Sequence, residues 1–158
     1  MTSTDTTAKA SAPAPGLPFG TALALAQRTL SAPLAAVLEE ERLPMLEWFT
    51  LNALGLRGTM PIDVVTGLLA GNGLDAPAAR DLVADLEASG LVELHTGAVS
   101  LTDAGVARYT HARDRINEVT ARVFEPFGAA RVEAARILLQ EIAYTDPEEL
   151  TTRSMHAG

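Results

Sequence analysis

The chain has no cysteine among its 158 residues, which removes disulfides, thiolate metal ligands, cysteine nucleophiles and thiol redox sensing together. Aromatic residues are scarce at 4%, so a core must be built mainly from small and branched aliphatics, a composition that suits packed helices. Positive charge is scarce as well. Twelve basic residues face 20 acidic ones, for a formal net charge of -8, and that balance opposes long-range attraction to polyanions. Only Lys9 among the 12 is a lysine, and the 11 arginines are the better forks for phosphate and guanine.

No stretch approaches about 20 uninterrupted apolar residues. The opening "MTSTDTTAKASAPAPGLPFG" lacks the basic start and apolar centre of a secretion signal. A soluble protein of the cytoplasm is the expectation. Enzyme signatures are missing too: no Gly-x-Gly-x-x-Gly, no Walker-type loop, no His-Glu-x-x-His, no nucleophile elbow. No catalytic residue, metal or cofactor is therefore expected. "GNG" at 71–73 reads as a helix stop, and "EEE" at 39–41 as a solvated helix end.

What is present is a succession of helical patterns. Residues 1–18 are rich in Thr, Ser, Ala and Pro and read as a flexible tail, as do 145–158, where Pro147 could open a brief helical turn. Between them, 19–144 reads as one domain. Thr21 is placed to cap a first helix, which Pro33 should kink or split. Pro44 opens "PMLEWFTLNAL", whose Met45, Trp48, Phe49, Leu51 and Leu54 wrap more than one face and predict deep burial. Pro61 begins one short helix, and Asp75 with Pro77 begins another, so 61–89 reads as a helix-turn-helix. The segment 91–101 follows as a hairpin around Thr96 and Gly97. Thr102 then caps a long helix in which Tyr109, Ala112, Ile116, Val119 and Val123 recur at spacings of three and four, a seam for another helix. Pro126 and Gly128 break the chain before a last helix with Val132, Ala135, Leu138, Leu139 and Ile142 apolar.

At "DLVADLEASGLVEL" (81–94) followed by "VSLTDAG" (99–105) the sequence resembles the MarR family of winged-helix regulators. Leu86, Glu87, Gly90, Leu91, Val92, Leu101, Thr102 and Gly105 stand at the family's places. The resemblance spans roughly 19–144. It implies a mainly α fold with a small β-hairpin, a winged helix-turn-helix flanked by N- and C-terminal dimerisation helices. It also implies a homodimer presenting two recognition helices to successive major grooves of double-stranded DNA. A cleft for a small aromatic or apolar ligand between the dimerisation helices and the winged-helix lobe is implied as well. In the family the wing is longer and carries a basic residue, whereas this tip is "HTGA".

Candidate DNA contacts are Arg80, Ala76 and Ala79 in the recognition helix, Arg57 just before the helix-turn-helix, and His95 at the wing. Arg80 could read guanine or pair with Asp81 or Asp85, and His95 could meet a phosphate or sit in solvent. Arg108, Arg113 and Arg115 read more readily as ion-paired residues of a helix face. Across 58–107 Arg80 is the one basic residue, against seven acidic ones. Candidate ligand-pocket residues are Met45, Trp48, Phe49, Tyr109 and His111, an aromatic wall with a polar group, with plain core as the alternative. Two functions follow: a homodimeric, ligand-responsive DNA-binding regulator, or a winged-helix protein that has lost ordinary DNA binding and serves as an interaction or small-molecule-binding module.

Overall fold

The computed structural model describes residues 16–149 and 151. The tail expectation for 1–15, 150 and 152–158 lies outside the described residues, and within 145–149 Pro147 does open a helical stretch. Helix α1 (Phe19–Glu40) leads to α2 (Met45–Arg57), a two-residue strand β1 (Met60–Pro61), α3 (Ile62–Ala70) and α4 (Ala76–Ala88). Strands β2 (Val92–His95) and β3 (Ala98–Leu101) precede α5 (Asp103–Phe124), a 3-10 turn (Glu125–Phe127) and α6 (Ala129–Tyr144).

One local expectation changes and two gain detail. Helix α1 starts at Phe19 rather than being capped by Thr21, because Pro18 already supplies the extended entry, at φ -52 and ψ 141, and its carbonyl accepts the Ala22 N–H at 2.9 Å. The same helix passes through Pro33 without splitting, at the cost of the N–H that would reach the Thr29 carbonyl. Pro61 is the N-cap of α3, at φ -56 and ψ 142, and it also ends a strand that pairs antiparallel with β3, Met60 opposite Val99 and Pro61 opposite Ala98. The sheet order is β1-β3-β2, so β3 is the central strand and its Val99 is fully buried.

Helix α1 also revises the hydropathy reading. Thr, Ser, Gln and Arg interrupt every apolar run, yet over 22 residues its best window has a mean hydropathy of 1.2, long and apolar enough by composition to cross a membrane. Its C-terminal half is instead tied into the protein, with Val37 and Leu38 buried.

The residues shared with the winged-helix pattern have a common physical task. The Thr102 hydroxyl donates to the Gly90 carbonyl at 2.6 Å and accepts from the Gly105 N–H at 3.0 Å, so one side chain caps α5 and fastens it to the exit of α4. The Thr102 N–H donates to the Leu91 carbonyl at 3.1 Å. A Cβ on Gly105 would overlap that same carbonyl, which explains the glycine. The Glu87 carboxylate accepts the outward N–H of Leu94 at 3.3 Å, satisfying a donor on the edge strand β2.

The core lies in the winged-helix lobe and where α2 and α5 cross it. Leu51, Leu54, Val65, Leu69, Val83, Leu86, Val92 and Val99 are all at most 2% exposed. The arm formed by the outer part of α1 and by α6 contrasts with this: α6 buries no residue.

Candidate nucleic-acid interface and ligand cavity

Helix α4 is held in register at its start by Asp75, whose carboxylate accepts the Ala78 N–H at 2.8 Å. Ala79, Val83 and Leu86 turn inward and are buried. Ala79 therefore stands in the core, at 0% exposed, and cannot touch DNA. It belongs to the 79, 83, 86 stripe that seats the helix, and a small side chain gave no hint of which side it would take. Ala76 and Arg80 are exposed. Neither Asp81 nor Asp85 pairs with Arg80, and among the described residues no carboxylate comes within ion-pair distance of Arg80 or of Arg57, which is exposed at the end of α2.

The wing tip is compact. Thr96 and Gly97 both take positive φ, 48° and 79°, the backbone of a type I′ two-residue turn. The Ile62 N–H donates to the Gly97 carbonyl at 2.9 Å, so the tip is tied to the start of α3 rather than projecting beyond it. His95 is exposed at the end of β2, opposite Ala98.

At the junction of arm and lobe, Trp48 and Tyr109 stack with centroids 6.0 Å apart and planes 21° from parallel. Gly55 makes room for the Tyr109 ring, which a Cβ there would overlap. The guanidinium of Arg113 lies 5.4 Å from the same ring centroid. Trp48 and Tyr109 are core residues, Met45 is half-buried beside them, and Phe49 is 36% exposed.

Glu41 is not part of a solvated run. Its half-buried carboxylate accepts from Arg108 at 3.3 Å and faces His111 Nε2 at 3.2 Å, while Arg108 also donates to the Glu41 carbonyl and Arg115 reaches Glu40 at 3.3 Å. These contacts join the end of α1 to α5. Arg113 pairs with Asp114 and Arg115 with Glu118, so this arginine cluster serves ion pairing. Nearby on α2, burial pushes the Glu47 carboxyl above its ordinary range; Arg108 opposes the shift and the charge of Asp85 adds to it.

A cavity of about 100 Å³ opens between α1 and α5, lined by Leu30, Leu34 and Val37 on one side and Ile116, Val119 and Val123 on the other. Thr120 contributes a hydroxyl, and among the described residues no charged side chain lines it. None of Met45, Trp48, Phe49, Tyr109 or His111 is among its walls. The seam 116, 119, 123 was legible on α5, but its intramolecular counterpart at 30, 34 and 37 was obscured by the proline inside α1.

No protein-family profile matches the sequence, and no curated protein matches it significantly. Solved structures do match. The Mycobacterium tuberculosis MarR family protein Rv2887 in complex with DNA has 20% identity and a TM-score of 0.67, covering 80% of this chain and 98% of its own. Wild-type MarR from E. coli in its apo form has 15% identity and a TM-score of 0.68, covering 81% and 98%. NadR in complex with 4-hydroxyphenylacetate has 20% identity and a TM-score of 0.67, covering 80% and 95%. The chain thus has the winged-helix fold of MarR-type proteins, mainly α with a small antiparallel sheet.

Proposed function

We propose that this chain is a homodimeric transcription regulator of the MarR type, without enzymatic activity, acting in the cytoplasm on double-stranded DNA. The observation that carries the reading is the capped helix α4, which sits in a winged-helix lobe and displays Arg80 exposed and without an ion-pair partner among the described residues. A guanidinium left free in so acidic a lobe is suited to a bidentate contact with guanine. Arg57, Ala76 and His95 complete the proposed contact surface, with backbone N–H groups at helix starts meeting phosphate. A similar structure that contains DNA and another that contains an aromatic acid support the two partner classes.

The proposed dimer rests on α6, which leaves Ile137, Leu138, Leu139 and Ile142 each at least 38% exposed. A small aromatic or apolar ligand is proposed to bind where arm meets lobe, near Met45, Trp48, Phe49, Tyr109 and His111. One observation favours the second reading, a winged-helix module without ordinary DNA binding: the reduced wing is tied down and carries no arginine.

Gel shifts with the DNA upstream of the chain's own coding region, across a salt series, separate the two. DNA binding with few phosphate contacts gives a shallow salt dependence, and Arg80→Ala weakens it about tenfold or more. Absence of any shift at low salt, or an unchanged shift for Arg80→Ala, establishes the module reading instead.

A further inference from the structure

With Ala79, Val83 and Leu86 fixed inward, the helical period places Pro77, Asp81, Ala84 and Ala88 on the opposite side of α4, all exposed. Arg80 lies at one flank of that arc and Asp85 at the other. Asp85 lies close enough to α2 for its charge to act on Glu47. Asp81 is thus the polar side chain at the centre of the outward arc, and it has no ion-pair partner among the described residues.

We infer that Asp81 is a specificity-determining residue, accepting a hydrogen bond from the exocyclic amine of a cytosine or adenine in the major groove beside the base pair read by Arg80. The inference rests on the DNA-binding reading above. Its physical basis is reach and polarity. An aspartate extends one methylene from the backbone, so it meets a base edge only where its helix lies close to the groove floor. The proline and alanines around it permit that approach, and Ala84 offers a methyl that suits a thymine methyl. A carboxylate accepts and never donates, so it favours N4 of cytosine or N6 of adenine over the carbonyls of guanine and thymine at the same edge. The same charge repels phosphate on every sequence, so Asp81 exchanges overall affinity for discrimination.

The test is a gel-shift titration of the full chain against a bound upstream fragment and its single-base-pair variants, comparing wild type with Asp81→Asn and Asp81→Ala. The expected result is that one base pair per half-site, conferring about a tenfold preference in the wild type, becomes nearly indifferent in Asp81→Ala. Affinity for unrelated DNA rises in both variants. Asp81→Asn, whose amide both donates and accepts, accepts a keto base at that position. Should both variants bind all fragments more tightly with the preference unchanged, Asp81 is a repulsive charge only and this inference is overturned while DNA binding stands. If the wild type shifts no fragment at all, the DNA-binding reading fails and this one with it.

Discussion

The winged-helix lobe and the helical arm are built from similar residues and reach opposite states. In the lobe, strands, caps and turns close on one another: Thr102 bonds to both Gly90 and Gly105, Glu87 satisfies Leu94, and Leu51 is wholly enclosed. In the arm, α6 presents its leucines and isoleucines outward and buries nothing. The lobe holds the buried core, because Leu51, Leu69, Leu86, Val92 and Val99 all find their apolar partners within the chain. The arm leaves Leu23 and Leu25 of α1 and Ile137, Leu138, Leu139 and Ile142 of α6 exposed, and such faces are stabilised by association.

The largest effect expected on this contrast comes from paired truncations. Leu51→Ala should cost about 3 to 4 kcal/mol in urea unfolding, whereas Leu138→Ala should change unfolding of the dilute chain by less than about 0.5 kcal/mol and weaken self-association in sedimentation about tenfold. Equal unfolding costs for the two would remove the distinction between lobe and arm. Next comes Gly105→Ala, whose new methyl meets the Leu91 carbonyl rather than a flexible side chain. It should lower stability by about 3 kcal/mol, with an altered hairpin signature in amide exchange, while leaving the helicity of α6 unchanged.

The smallest effect concerns Glu47. Its carboxyl is raised in the folded state by burial, so folding disfavours its ionised form. The resulting penalty is present at neutral pH and fades as pH falls through the raised folded value towards the ordinary 4.5. Glu47→Gln should therefore be slightly the more stable at pH 7, by less than about 0.5 kcal/mol given its partial exposure, and equal to wild type below pH of about 4. A gain that persists into acid would point to packing rather than charge.

Much of the lobe could be read from the sequence because its signals are local. Asp75 and Thr102 cap the helices expected of them, and Gly97 stands in the turn it suggested, since caps and turns are decided by neighbouring backbone groups. What escaped was non-local. The strand Met60–Pro61 is too short to show a period and exists because β3 lies beside it. Ala79 carries no polarity that would reveal its side. The Glu39–Glu41 run looked uniformly solvated, yet Glu41 is covered because Arg108, 67 positions later in α5, folds back onto it. The cavity between α1 and α5 needed two stripes to be matched, and the proline in α1 disguised one of them.

That return contact has a mechanical meaning. Arg108 grips both the carboxylate and the backbone carbonyl of Glu41 at the corner where α1 gives way to α2, beside Arg42 in a left-handed conformation at φ 50. A helix of α1's length is a lever about 33 Å long. A tilt of about 5° at the corner moves its far end by about 3 Å, close to the rise of one DNA base pair. The contacts that Arg108, His111 and Arg115 make at that corner thus bear on a distance at the tip.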